Sequence, residues 1–427
     1  MMNEYNINEH IVKKLKSPFG GSERKRCVIL DDGYMYLLKL PDPTREVHRT
    51  LSYINNAISE YIGCKVFESV GLPVQHVFLC EFTDENRHGE LRTYIGCACR
   101  NIVPEGFFLS DADKASLGSD VDPKAAELPS FATLEMIAKQ DDGIPRDELV
   151  QFYCNQFVVD ALIGNPDRHN GNWGFLTGAT APDQIAPVYD CGSSLCPLYT
   201  DEELSSTIVN NNVANALSAI RDENGKNIVY KDYLMAGKNA DVNAALLRIV
   251  PRINMDEICR IVDETPYISD KRKGFYKNLL TERYTKVLLP ALEKVLAPGE
   301  MVVDETISDK EVYEFYKWCI KPFAEIEIGD CREMCVNGET VIAKRVTNKQ
   351  VLLVNPNSFE AEAIFSVRSS NRDVRKSMVV LQGIYGEHVD VECNSLDGRI
   401  CAAKNAAERA GGICVGSLTK NDGFGKD

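Results

Sequence analysis

Residues 148–195 read ELVQFYCNQFVVDALIGNPDRHNGNWGFLTGATAPDQIAPVYDCGSSL, and the fold turns on them. The opening run, through Gly164, is mostly apolar and long enough for a helix. It breaks at Asn165-Pro166 into the polar cluster Asp167-Arg168-His169-Asn170-Gly171-Asn172, then turns apolar again at Trp173-Gly174-Phe175-Leu176. A second acidic turn follows at Val188-Tyr189-Asp190-Cys191-Gly192. Two Asp-bearing turns, each at the edge of apolar structure, predict a preformed polar site on a packed scaffold.

Asp167 and Asn172 are five residues apart. The catalytic loop of protein kinases has its Asp and its metal-binding Asn at that interval. The chemistry explains the residue types. One carboxylate must receive or orient the hydroxyl of the attacking substrate. One carbonyl oxygen a short turn away must hold Mg²⁺ against phosphates, and a second carboxylate must complete the hard-oxygen shell. Asp190 is placed to supply it, with Ile185 and Val188 leading in as a strand and Gly192 letting the chain turn. Each turn taken singly also reads as ordinary polar surface. Their order along the chain is what carries the kinase-like reading.

Upstream, Ser17-Pro18-Phe19-Gly20-Gly21-Ser22 precedes two β-like runs, Cys27–Leu30 and Tyr34–Leu40, joined by an Asp31-Asp32-Gly33 hairpin turn. Backbone N–H groups of a Gly/Ser loop there can fold over phosphates. Lys39 is in the second strand, where a nucleotide-phosphate lysine is needed. Leu51, Ile54, Ile58, Ile62 and Val66 step through 44–70 at helical spacing, closed by Gly71-Leu72-Pro73. Glu60 lies off that stripe. It is the candidate ion-pair partner of Lys39, with a solvated surface glutamate as the alternative. Strands are expected at Val74–Phe82 and Arg92–Cys99, a connector at Cys97–Pro104, and a loop with one short helix over 105–147.

Composition narrows the function classes. A net charge of −15 disfavours non-specific nucleic-acid or anionic-membrane binding. It also means that a site for ATP needs local positive charge or Mg²⁺. The 15 cysteines are odd in number, include no Cys-x-x-Cys, and have only six histidines as co-ligands, which argues against structural zinc and for reduced buried thiols in a cytoplasm. No signal-peptide core and no membrane-length apolar window is found. Helical patterns at 241–250, 256–263 and 271–296 extend the helical part to Pro298-Gly299. Beyond it, short strands at Val341–Val346, Val351–Val354, Ala363–Val367, Met378–Leu381 and Val389–Cys393, with helices at 309–320 and 400–410, predict a separate small α+β module. Its cluster Arg368, Arg372, Arg375 and Lys376 reads as a solvated loop or as a contact for an acidic surface.

At Gly164-Asn165-Pro166-Asp167-Arg168-His169-Asn170-Gly171-Asn172 the sequence resembles the HipA-type bacterial serine/threonine kinases, including their CtkA-like relatives. Their catalytic segment reads Gly-Asn-x-Asp-x-His-x-x-Asn. Tyr189-Asp190 matches their later Tyr-Asp turn, Tyr36-Leu37-Leu38-Lys39 their Tyr-x-x-Lys strand, and Gly20-Gly21-Ser22-Glu23-Arg24-Lys25 more loosely their phosphate loop. The resemblance spans about residues 17–297. It implies a two-lobed kinase using ATP and Mg²⁺, with Asp167 catalytic, His169 supporting the loop, Asn172 and Asp190 holding metal, and Lys39 on the nucleotide phosphates. It also implies autophosphorylation of the loop, at Ser22 by position and Ser17 second. HipA carries a domain ahead of this loop, whereas about 16 residues precede it here, so the shorter form is expected. No helix-turn-helix antitoxin segment is evident, so any DNA-binding partner, such as an antitoxin, is expected to be a separate chain.

The expected architecture is α+β. It consists of a β-rich kinase N-lobe over 1–125, a mainly helical C-lobe over 126–300, and the α+β module over 301–427. The expected function is transfer of the γ-phosphoryl group of ATP to a protein hydroxyl. A lipid or small-molecule kinase, or a pseudokinase-like binding module, is the alternative; retention of Lys39, Asp167, Asn172 and Asp190 argues against the last.

Overall fold

The computed structural model describes residues 5–15, 24–41, 54–85, 90–115, 129–140, 143–178, 181–296, 325–336, 339–348, 350–370 and 373–381. These fall in two compact units, one drawn from Met1–Ala245 with Met255–Leu288, the other from Leu246–Asn254 with Leu289–Asp427. The expected helices at 309–320 and 400–410, the strand Val389–Cys393, Arg372, and the side chains of Arg368, Arg375 and Lys376 lie outside the described residues.

The first unit opens with five antiparallel strands: β1 (Ile11–Leu15), β2 (Arg24–Leu30), β3 (Met35–Leu40), β4 (Val77–Glu85) and β5 (Leu91–Arg100). Their order is β1-β2-β3-β5-β4. Gly33 takes φ +82° in the predicted hairpin turn, a conformation that costs glycine little. The chain ahead of β1 covers the far edge of this sheet. Glu81 N–H donates to the Tyr5 carbonyl (2.8 Å), and the Asn8 carboxamide bonds both backbone groups of Thr83 (2.7 and 2.9 Å). The sheet is thereby curled over a core of Ile7, Val28, Leu30, Leu38, Leu40 and Phe82.

Helix α1 (Asn56–Ser69) packs on β3, β4 and β5. Burial extends beyond the Ile58, Ile62, Val66 stripe to Asn56, Ser59, Glu60, Gly63 and Cys64, because the helix is enclosed on more than one side. Glu60 is therefore fully buried, and the solvated-surface alternative is corrected.

Helices dominate the second lobe. Helix α2 (Phe131–Gln140) packs on α3 (Arg146–Ile163), which is buried from Leu149 onward apart from Gln151 and Phe152. A helix apolar on nearly all sides belongs inside a lobe. It stops at Gly164, whose φ of +64° suits a left-handed cap. The 271–296 pattern becomes α4 (Asp270–Arg283), a π-helical turn at Tyr284–Leu288, and a helix at Leu289–Leu296. Within the stretch read as loop, Phe107–Asp111 is a strand, β6, paired with β7 (Gly174–Gly178), which pairs with β8 (Gln184–Ile185). The chain leaving β6 meets the polar cluster 165–172, Asp113 N–H donating to the Asn170 carbonyl at 3.1 Å. A further hairpin, β9 (Leu217–Arg221) with β10 (Asn227–Val229), was also not expected.

The second unit contains an antiparallel meander: β11 (Cys331–Val336), β12 (Glu339–Thr347), β13 (Gln350–Val354), β14 (Ala361–Ser370) and β15 (Asp373–Leu381). It also takes in Leu246–Asn254 and the helix Leu289–Leu296, which the sequence reading groups with the C-lobe. Within it, the buried Lys344 donates to the carbonyls of Pro251 (2.7 Å) and Ile253. Burial lowers that amine to about 8. Among the described residues no helix is long and apolar enough to cross a membrane.

Candidate active site

Lys39 reaches the site from β3, an inner strand. Its ammonium is 2.9 Å from Glu60 Oε2 and 2.5 Å from Asp190 Oδ1, with the lysine side chain only 4% exposed. A buried ammonium is tolerated where carboxylates compensate it, and here two do.

Asp190 ends a segment tied to the N-lobe. Val188 bridges Val74, with Val188 N–H donating to the Pro73 carbonyl and Gln75 N–H to the Val188 carbonyl (both 2.8 Å). The backbone then turns sharply: Asp190 takes φ +60°, uncommon for a side chain larger than glycine. Such strain persists only where the surroundings fix it. Ser194 does part of this, its hydroxyl donating to the Cys191 carbonyl at 2.7 Å. Gly63 does another part, since a Cβ there would meet the Cys191 Cβ at 2.6 Å, so only glycine lets α1 lie this close. Burial by itself would raise the Asp190 carboxyl, but the Lys39 ammonium outweighs it and brings the carboxyl down to about 2.

The catalytic-loop segment is a closed polar turn. Asp167 N–H donates to Asn165 Oδ1 (3.1 Å), His169 N–H to the Asp167 carbonyl (2.8 Å), and Asn172 N–H to the His169 carbonyl (2.9 Å). Asn172 Nδ2 donates to the Asp167 carbonyl at 2.7 Å, so the five-residue interval is closed by the asparagine itself. That use of the amide nitrogen leaves Oδ1 as the carboxamide atom able to accept a cation. The Asp167 side chain is half exposed, as an acceptor for an incoming hydroxyl must be. Gly171 N–H donates to His169 Nδ1 (3.0 Å), which puts the imidazole proton on Nε2, 3.8 Å from Asp167 Oδ1. That separation is too long for a hydrogen bond, and His169 borders the carboxylate without holding it.

Sequence reasoning placed Lys39, Glu60, Asp167, His169, Asn172 and Asp190, and each has the position just described. Gly20, Gly21, Ser22 and Ser17 lie outside the described residues. Three neighbours were missed. Ser193 donates its hydroxyl to Asp167 Oδ2 at 3.3 Å. Arg168 and Asp160 form a buried pair beneath the loop, 2.9 Å from Nε to Oδ2. Burial pushes the Asp160 carboxyl up, with Arg168 pulling against it. Asp160 was legible in principle, because an aspartate flanked by Phe157-Val158-Val159 and Ala161-Leu162-Ile163 in a helical run must find a partner.

The donor set fits a hard cation shared with phosphate. Asp190 and Asn172 offer oxygen ligands, and no group of three or more His, Cys, Asp or Glu side chains suited to a metal occurs among the described residues. A Mg²⁺ ion takes one or two protein ligands and completes its shell from water and phosphate.

No family model matches the chain. Among curated proteins, the serine/threonine-protein kinase CtkA of Helicobacter pylori is 34% identical over 281 residues, covering 64% of this chain and 83% of the relative. The crystal structure of the Helicobacter pylori proinflammatory kinase CtkA aligns with a TM-score of 0.59 at 30% identity, covering 67% of this chain and 97% of that one. The HipA chain of a Shewanella oneidensis HipA, HipB and operator DNA complex aligns at 18% identity with a TM-score of 0.43, over 62% of this chain and 61% of its own, too distant to carry an argument. On the CtkA match and the kinase fold it accompanies, the chain belongs to the CtkA-like serine/threonine protein kinases.

Proposed function

We propose that the chain transfers the γ-phosphoryl group of ATP, with Mg²⁺, to a protein serine or threonine through Lys39, Glu60, Asp167, Asn172 and Asp190. The observation that supports this best is the Lys39 ammonium bound between Glu60 and Asp190. Lys39 holds nucleotide phosphate and Glu60 keeps its stem extended from β3. Asp190 and Asn172 hold the metal through oxygen. Held there, Mg²⁺ would supply positive charge against the nucleotide phosphates. Asp167 orients the acceptor hydroxyl and takes its proton, while His169 and Ser193 border the carboxylate. Gly20, Gly21 and Ser22 fold backbone N–H groups over the phosphates. Ser22 is the autophosphorylated residue, with Ser17 second, and Arg24, Lys25 and Arg26 stabilise the phosphorylated loop.

The proposal includes a kinase N-lobe over 1–125, a C-lobe over 126–300, and a substrate or partner role for 301–427. It also includes a protein substrate, a separate antitoxin chain and a cytoplasmic setting, the last in keeping with the free buried thiols of Cys64, Cys97, Cys99 and Cys191. Thermal unfolding with and without Mg·ATP tests the core of it. Mg·ATP raises the melting temperature of the wild type and of Asp167→Asn, and not that of Asp190→Asn. Equal stabilisation of all three counts against the metal assignment.

A further inference from the structure

Arg168 stands in the polar loop beside Asp167, yet its side chain turns inward and is 3% exposed. The guanidinium makes contacts in three directions. Toward α3 it grips both carboxylate oxygens of Asp160, at 2.9 Å from Nε and 3.2 Å from Nη2. Toward the loop, Nη1 donates to the Asn172 carbonyl at 2.8 Å. Toward the acidic turn, Nη1 donates to the Tyr189 carbonyl and Nη2 lies 3.6 Å from Cys191 Sγ. One rigid group therefore holds the backbone of Asn172 and the residues on either side of Asp190.

We propose that Arg168 is the positioning residue that sets the separation of Asn172 and Asp190, and that Asp160 is its anchor. This rests on the assignment of Asn172 and Asp190 to the metal. Nothing in a guanidinium rotates, since its five N–H groups are fixed in one plane. The spacing between the two backbone segments is thus set by covalent geometry. A buried ion pair is a poor source of stability, and an apolar pair of equal volume does as well. Geometry is what this pair adds. Asp160 is itself oriented by Asn165 Nδ2 at 3.1 Å, and the Asn165 carbonyl accepts from the Tyr230 hydroxyl at 2.7 Å, so the anchor continues into the lobe core. Residues that orient metal ligands are typically worth about 10–100-fold in metal affinity.

Mn²⁺ affinity read by electron paramagnetic resonance, in the presence of a non-hydrolysable ATP analogue, tests the idea on the full chain. Arg168→Lys keeps a cation near Asp160 but cannot reach the Asn172 and Tyr189 carbonyls together. Asp160→Asn keeps the volume and frees the guanidinium. Either folded variant, judged by circular dichroism and melting temperature, is expected to bind Mn²⁺ about tenfold or more weakly. Affinity for the analogue without metal is expected to change less than twofold. Mn²⁺ affinity within twofold of wild type in a folded variant overturns the proposal. So does failure of both variants to fold, which makes the pair a fold element only. If the wild type binds no Mn²⁺ with the analogue, or Asp190→Asn binds it as well as wild type, the metal assignment itself fails.

Discussion

Replacing Lys39 with methionine keeps an unbranched stem and deletes the ammonium that Glu60 and Asp190 share. The lysine nitrogen is 2.9 Å from one carboxylate oxygen and 2.5 Å from the other, so those oxygens are no more than about 5.4 Å apart. Two like charges at that distance repel by about 3 kcal/mol at an effective dielectric of about 20. In the variant one carboxyl relieves this by keeping a proton, so its folded pKa lies above its unfolded value near 4. About 3 kcal/mol corresponds to roughly 2 pH units, which puts the folded pKa near 6. A raised folded pKa means the penalty is absent below about pH 4, grows as pH rises, and is complete above about pH 7. Urea unfolding of wild type and Lys39→Met at two pH values is the assay. The wild type outlasts the variant at both values, and the stability gap is expected to widen by about 1–2 kcal/mol from pH 5 to pH 8. A gap of equal size at both values, or none at pH 8, refutes the reasoning.

Asp190 titrates in the opposite sense. Its folded pKa of about 2 is below the unfolded value, so its contribution is present above about pH 4 and lost as pH falls toward 2. Wild type is expected to lose about 2 kcal/mol from this group between pH 5 and pH 2, and Asp190→Asn to lack that loss in the same titration. Gly63→Ala puts a methyl against the Cys191 Cβ; a cost of about 1–3 kcal/mol is expected, with weaker Mg·ATP binding by calorimetry as α1 is levered off the Asp190 turn. Gln156 is 1% exposed, and neither its Oε1 nor its Nε2 has a hydrogen-bond partner among the described residues. Gln156→Leu is expected to stabilise the fold by about 1 kcal/mol in urea unfolding with phosphotransfer unchanged, and a loss of stability contradicts it.

The parts of the site legible from sequence were those whose geometry is local or whose order is fixed. Asp167 and Asn172 close their own turn, so a five-residue interval was enough. Lys39 on an apolar strand and Glu60 on the next helix were ordered correctly, but the sequence left open whether they meet. Only the packing of α1 across β3 brings them together. The roles of Arg168 and Asp160 were hidden for a different reason. One belongs to a loop and the other to a helix, and what they organise includes Tyr189, beyond both in sequence. Strand β6 was read as loop because its partner β7 is more than sixty residues away and pairing across that distance leaves no local periodicity. The strands of the second unit were found where apolar runs are flanked by turn residues; β11, with exposed Cys331, Arg332 and Glu333, offers no such run.

Serine/threonine phosphotransfer by this chain rests, in the account given above, on the carboxylate of Asp167. The direct measurement is transfer of the γ-phosphoryl group from labelled ATP to protein, with phosphoamino-acid analysis, for wild type and Asp167→Asn at equal folded concentration. Label on serine or threonine that falls about 10²–10⁴-fold in the variant is the predicted result. Equal incorporation by the two proteins contradicts the account.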